Sequence, residues 1–339
     1  MSGRWFLLGV VCLISAIFGV SSASGQAPVS IRAGTPGAVS DAGIFLGLEK
    51  GYFQEEGLQI QLNHRMRSTE IIPALATGLL DVGGIEIIPA FINAVQQGAG
   101  MRIVATKGSF AKGHGFNVLV VRRELFEGGA VRSVRDLRGR RIAVTNLAGV
   151  QTFLLERMLA RGGVTLREVQ LVPMAIPDMP VAVHNGAVDA AMMVEPSATI
   201  STRRLRSGMP LLTADAVVTD FPAAVLVYSE QMRARSEVAT RWMRAYLRGL
   251  QLYNDGLRNP AVRREVVEIL KKYTPLREDA LFQEMVWPGL RRDGVFDARH
   301  LVALQAHMVA QGALASPLPV EQLVDFRFVR EAARALNIR

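Results

Sequence analysis

From residue 28 onward, short apolar stretches alternate with segments whose apolar residues recur at helical spacing, the pattern of an α/β protein with mainly parallel sheets. Strand Val29–Ala33 runs through the turn Thr35-Pro36-Gly37 into a helix from about Asp41 that stops at Gly51. Strand Gln59–Leu62 follows, then helix Glu70–Thr77 ending at Gly78, then Asp81 and a short strand to Gly84. The same order returns as strand Arg141–Val144, turn Thr145-Asn146, a helix from about Val150 to Arg161, strand Val169–Val172, helix Met179–Asn185 ending at Gly186, and Asp189 ahead of strand Ala190–Val194. Gly78-Leu79-Leu80-Asp81 and Gly186-Ala187-Val188-Asp189 hold equivalent places, each followed by a glutamate, Glu86 or Glu195. The spacing predicts two similar β-α-β-α-β lobes. The alternative is chance likeness, since helix-glycine-strand punctuation recurs in all such folds. After strand Ala224–Tyr228 the chain reads as helical to its end. Trp242, Tyr246, Leu250 and Tyr253 fall on one face between Ser236 and Leu257, a stripe expected to pack in the core rather than to hold a ligand.

The first residues carry a different signal. Arg4 precedes the apolar run Trp5–Val20, and the small residues Ser21-Ser22-Ala23-Ser24 follow, the order of a secretory signal peptide cleaved after Ala23. The rival reading, an uncleaved anchor, needs a run of roughly 20 apolar residues. Cleavage predicts a periplasmic protein. It also removes Cys12, the only cysteine, so neither a disulfide framework nor thiolate metal ligation is expected, and the five histidines are scattered.

The composition, 50% hydrophobic and 20% charged over 339 residues, excludes a disordered chain and suits one large or two ordinary domains. The net charge of +9 comes from arginines interleaved with Asp and Glu, which argues against a nucleic-acid stripe. The basic cluster Arg132 to Arg141 is interrupted by Asp136 and reads as a solvated turn. Ser109-Phe110-Ala111-Lys112 has the Ser-x-x-Lys spacing of penicillin-recognising enzymes, but no companion motif accompanies it. No nucleophile elbow, zinc-protease motif or phosphate loop is present either, and the expectation is a protein that is not an enzyme and carries no cofactor or metal.

In open α/β sheets ligands sit beyond the carboxyl ends of the strands, where helix N-termini offer unpaired N–H groups. Two lobes would bring the loops Thr35–Ser40, Gly83–Glu86, Thr145–Gln151 and Val194–Ser197 to one cleft. Candidate ligand-binding residues are therefore the neutral groups Thr35, Ser40, Gly84, Thr145, Asn146, Gln151 and Thr152, the carboxylates Asp41, Glu86 and Glu195, and Lys107 at the end of strand Ile103–Lys107. Asp41 and Glu195 also read as helix caps, and Glu86 equally as a surface residue. The loops themselves contain no arginine or lysine. That balance favours a neutral or zwitterionic ligand bearing N–H or O–H donors.

Leu48-Glu49-Lys50-Gly51-Tyr52-Phe53-Gln54-Glu55-Glu56-Gly57-Leu58 and Ala74-Leu75-Ala76-Thr77-Gly78-Leu79-Leu80-Asp81-Val82-Gly83, with Asp136-Leu137-Arg138-Gly139, Asn185-Gly186-Ala187-Val188-Asp189 and Glu195-Pro196 in that order, resemble the nitrate/taurine/sulfonate-type substrate-binding proteins of ABC importers, a group that includes SsuA/THI5-like members. The likeness covers roughly residues 29 to 290. It implies a type II periplasmic-binding-protein fold: two α/β lobes with a ligand cleft between them, joined by two crossings, here near Phe110–Phe116 and Phe221–Ala224. The implied organisation is a signal peptide over 1–23, lobe 1 over 28–112, lobe 2 over 113–223, and a return to lobe 1 with C-terminal helices over 224–339. The resemblance further implies a monomer that captures a small organic solute and delivers it to an ABC permease, with its cytoplasmic ATPase, at the inner membrane. In the pyrimidine and taurine branches the glutamate of the Glu-Pro pair accepts from ligand amino groups, which points to Glu195. The first loop lacks the aromatic-asparagine pair of the pyrimidine binders. A periplasmic sensor of the same build, or an enzyme on the same fold of the pyrimidine-precursor-synthase kind, are the alternatives.

Overall fold

The computed structural model describes residues 27–338, so the candidate signal peptide and Cys12 lie outside the described residues. Among these described residues ten strands form two five-stranded mixed sheets. The first contains β1 (Val29–Gly34), β2 (Leu58–Asn63), β3 (Val82–Ile85), β4 (Arg102–Phe110) and, from far along the chain, β10 (Phe221–Tyr228), in the order β2-β1-β3-β10-β4. The second contains β5 (Asn117–Arg122), β6 (Arg141–Val144), β7 (Gln170–Pro173), β8 (Ala190–Val194) and β9 (Gly208–Thr213), in the order β7-β6-β8-β5-β9. Each sheet has three parallel strands joined through helices, and each takes one antiparallel strand, β10 or β5, inserted next to its third. The two sheets thus share one plan, as the twin sequence pattern predicted.

The repeat extends to individual bonds. Gly78 and Gly186 end their helices with left-handed φ of 72° and 69°, a conformation glycine adopts without strain. Three residues on, Asp81 Oδ2 accepts from the Arg32 backbone N–H on β1 at 2.8 Å, while the Arg32 guanidinium reaches the Gly78 carbonyl at 2.7 Å. In the second lobe Asp189 Oδ2 accepts from the Arg141 N–H on β6 at 3.0 Å, and Arg141 reaches the Gly186 carbonyl at 2.9 Å. One arginine and one aspartate therefore tie a helix end to the start of the third strand in both lobes.

The chain crosses between sheets over 111–116 and 214–220. The second crossing lies slightly earlier than expected at Phe221–Ala224. Pro222 sits within β10 opposite Ser109, where the ladder carries register shifts. The C-terminal part is also less continuously helical than predicted: between helices Asp279–Glu284 and His300–Ala310 an irregular span runs along β4. There the N–H groups of Thr106 and Ser109 donate to the carbonyls of Gly294 and Gly289 at 2.8 and 2.7 Å, which covers that sheet edge.

The long helix Ser236–Gly256 packs on the first lobe, and its predicted stripe is core: Trp242, Tyr246 and Tyr253 are fully buried, with Leu250 beside them. Burial leaves the tyrosine hydroxyls needing partners, and Tyr246 donates to the Thr106 carbonyl at 3.0 Å and Tyr253 to that of Pro288 at 2.8 Å. The helix crosses helix Ala42–Glu49 at a glycine pair. A Cβ on Gly249 would lie 2.1 Å from the Gly43 carbonyl oxygen, and one on Gly43 would come within 2.5 Å of the Tyr246 ring, so the helices pack this closely only because both residues are glycine.

Candidate functional site

Four loops follow the carboxyl ends of β1, β3, β6 and β8. The loop after β1 turns sharply at Gly37 and leads through Val39–Asp41 into helix Ala42–Glu49. Asp41 Oδ2 accepts from the N–H groups of Gly37 and Ala38 at 3.1 and 2.9 Å and so shapes that loop. Its other oxygen, Oδ1, lies 2.7 Å from Lys107 Nζ on β4, and Lys107 also donates to Ser40 Oγ at 3.1 Å. Asp41 is 0% and Lys107 2% exposed, so this is a buried pair, each charge held by the other. Thr35 is buried at the same turn, where its Oγ1 accepts from the Gly37 N–H at 3.3 Å. Gly84 on β3 leaves the room the pair occupies: a Cβ there would come within 2.9 Å of Lys107 Cε and 3.2 Å of Asp41 Oδ1.

Glu86 follows β3, its backbone N–H donating to Ser68 Oγ at 3.0 Å. Its side chain faces the other lobe. The Asn146 amide and the Val150 N–H, at the N-terminus of helix Val150–Ala160, face its carboxylate and favour its charged form, as does the positive charge of Lys107. Burial outweighs all three and pushes the Glu86 carboxyl up to about 7. Although the residue as a whole keeps some exposure, Oε1 is shut off from solvent and has no hydrogen-bond partner among the described residues.

On the second lobe, Gln151 Oε1 accepts from the Thr145 N–H at 2.9 Å, Asn146 Nδ2 donates to Thr145 Oγ1 at 3.1 Å, and Asn146 Oδ1 accepts from the Ala148 N–H at 3.3 Å. These bonds fix the loop so that the helix N-terminus behind it points at Glu86. Thr152 is placed differently from its neighbours. Fully buried, it donates to the Gly149 carbonyl at 3.0 Å and meets His307 Nε2 at 3.3 Å, on the side of the helix facing the C-terminal helix His300–Ala310. His307 Nδ1 is in turn 2.8 Å from Glu156.

Glu195 follows β8 directly and precedes a cis peptide bond to Pro196. Its Oε2 accepts from the Thr199 N–H at 3.0 Å and its Oε1 from the Val286 N–H, in the C-terminal span, at 3.4 Å. The glutamate is thus a helix cap and at the same time a clip onto the C-terminal span, and burial raises its pKa. Arg204 supports the same junction at 3.3 Å from Glu284.

The predicted residues therefore gather into one group of Ser40, Asp41, Gly84, Glu86 and Lys107 on the first lobe, facing Thr145, Asn146 and Gln151 on the second, with Glu195 clipped to Val286. Val286, Ser68 and His307 were not anticipated from sequence. A backbone donor and two side chains in unpatterned or purely helical stretches leave no local signal. Among the described residues no group of three or more His, Cys, Asp or Glu side chains is arranged to hold a metal ion.

Comparison with known proteins places this geometry in a known setting. The ligand-binding component of an ABC-type import system from Staphylococcus aureus, crystallised with zinc bound, superposes with a TM-score of 0.72 at 16% identity, covering 90% of this chain and 99% of that one. The alkanesulfonate-binding protein SsuA of Xanthomonas axonopodis pv. citri, bound to MOPS, gives 0.64 at 20% identity over 91% and 98%. The desulfurization enzyme DSZB gives 0.62 at 16% identity over 91% and 99%. These likenesses establish a shared two-lobe fold. A search of curated protein sequences finds no match. The NMT1/THI5-like family model matches residues 39–256, more than half of the chain and both lobes of the cleft, and the protein belongs to that family.

Proposed function

We propose that the protein is a periplasmic solute-binding component of an ABC importer, which captures a small organic solute between its lobes and delivers it to the permease. One observation carries the reading: loops from two lobes of like plan converge on a carboxylate of one lobe that faces a helix N-terminus of the other. A solute touching both walls favours the state in which both sets of contacts exist, so binding and closure are linked. The site comprises Thr35, Ser40, Asp41, Gly84, Glu86, Lys107, Thr145, Asn146, Gln151, Thr152 and Glu195, with Asp41, Thr152 and Glu195 acting largely by holding the walls in place. The importer components and the sulfonate binder among the structural relatives support this use of the fold, and the apolar N-terminal run supports export and a periplasmic location.

DSZB favours a second reading, an enzyme on the same frame. That enzyme was also crystallised as a cysteine-to-serine variant with biphenyl-2-sulfinic acid, whereas the only cysteine of this chain, Cys12, precedes β1 and both lobes. Isothermal titration against amines, amino acids, carboxylates and heterocycles, with small-angle scattering of any complex, tests the proposal. The expected result is recovery of an unchanged ligand and a smaller radius of gyration. Conversion of the ligand, or an unchanged radius at saturation, would overturn it.

A further inference from the structure

Glu86 stands where a bound anion would stand. The N-terminus of helix Val150–Ala160 offers the partial positive charge and free N–H groups that receive oxyanions. Here those donors, with the Asn146 amide, already face a carboxylate supplied by the opposite lobe. The neighbouring cation does not leave a vacancy for a second anion. Lys107 is buried at 2.7 Å from Asp41 and 3.1 Å from Ser40 Oγ, so the cluster of Asp41, Lys107 and Glu86 holds two carboxylates against one ammonium. Gly84 fixes that arrangement, since any side chain there would push the lysine off its partner.

The second observation is independent of the helix. Glu86 Oε1 is a buried acceptor without a donor, and buried polar atoms in folded proteins are normally paired. Glu195 does not share this state, because each of its oxygens accepts from a backbone N–H, of Thr199 or Val286. The acceptor left open to a ligand is thus on the first lobe.

We infer that Glu86 is the specificity-determining residue of the cleft: it fills the oxyanion seat of the second lobe, turns away ligands with oxyanion head groups, and selects solutes that present a nitrogen-bearing donor, a protonated amine or amidine, to its Oε1. This deepens the solute-binding reading and rests on it. Nitrate and guanidinium are planar ions of similar shape and opposite charge, so their relative affinities report the charge preference of the seat with little contribution from size. Titration calorimetry at pH 8.5, where Glu86 carries its charge, and at constant ionic strength, on the wild-type protein, Glu86→Gln and Glu86→Ala, each checked for folding by circular dichroism, measures that ratio. The wild type is expected to prefer guanidinium. Glu86→Ala is expected to shift the ratio toward nitrate by roughly a hundredfold, the size of one close charge–charge interaction in a partly buried site, with Glu86→Gln between. Wild-type protein that binds nitrate as tightly as guanidinium, or a ratio unmoved by Glu86→Ala, overturns the inference while leaving solute binding intact. Binding of neither ion by any of the three proteins also overturns it, and the solute-binding reading then stands or falls by its own titration.

Discussion

Replacing Glu86 by glutamine removes a charge from the middle of the cleft and keeps the shape of the side chain. The consequence for stability is set by the pKa, which burial raises from the ordinary 4.5 to about 7. Between those values the folded protein keeps a proton that the unfolded chain has released, so wild-type stability falls as pH rises through this window. Below about pH 4.5 both states hold the proton and the penalty vanishes; above about pH 7 it is fully in force. At about 1.4 kcal/mol per pH unit it reaches about 3 kcal/mol. Glutamine is neutral throughout. The stability of Glu86→Gln relative to wild type should therefore start from a fixed packing offset at pH 4.5 and grow by about 3 kcal/mol by pH 8. Glu195, raised by burial, and His300, lowered by it, titrate in both proteins and drop out of the difference. Urea unfolding of both proteins at half-unit pH steps from 4.5 to 8.5 measures the curve. A difference that stays constant across the window would mean that the Glu86 carboxylate is ionised and solvated in the folded state, and the burial described for it would be wrong.

Two further outcomes follow from other buried charges. Asp41→Ala strands Lys107 in the core with only Ser40 Oγ as partner and should cost about 3–5 kcal/mol, whereas Asp41→Ala with Lys107→Met should recover most of that loss. A double-mutant cycle by chemical denaturation checks this, and additive effects would refute the pairing. Asp81→Ala and Asp189→Ala each leave a strand N–H, of Arg32 or Arg141, without its carboxylate, so each should cost about 1–3 kcal/mol and speed amide exchange at that one residue.

The repeated plan of the lobes was legible because its markers are local. A glycine ending a helix and an aspartate three residues later are adjacent in sequence, and the bonds they make follow from that spacing. The aromatic stripe from Trp242 to Tyr253 was legible for the same reason, since helical periodicity alone places it inward. What escaped was non-local or masked. Strand Asn117–Arg122 is a nearly continuous apolar run without alternation, and Gly208–Thr213 carries Pro210, which weakens a strand signal. The close approach of Gly43 and Gly249 joins residues about two hundred positions apart, beyond the reach of any window along the sequence. In the site, residue types marked Asp41, Glu86, Lys107 and Glu195 as candidates, but not which charge each would face. That Lys107 is committed to Asp41, that Glu195 is held by Val286, and that Glu86 is left with an open oxygen depends on how three distant segments meet.

The threading of the two sheets sets the order in which they can be completed. Every strand of the second sheet lies within residues 117–213, so a nascent chain holds all of it once that stretch has emerged. The first sheet begins at residue 29 but lacks β10, the strand between β3 and β4, until residues 221–228 arrive. Until then β3 and β4 each present an unpaired edge, the kind of surface on which chains aggregate. The lobe synthesised first is therefore the lobe finished last. Any factor that shields the chain before it folds has its longest task at those two edges, and a fragment ending at residue 110 would keep them open permanently, whereas residues 117–213 form a sheet that needs nothing from the rest of the chain to close its own pairing.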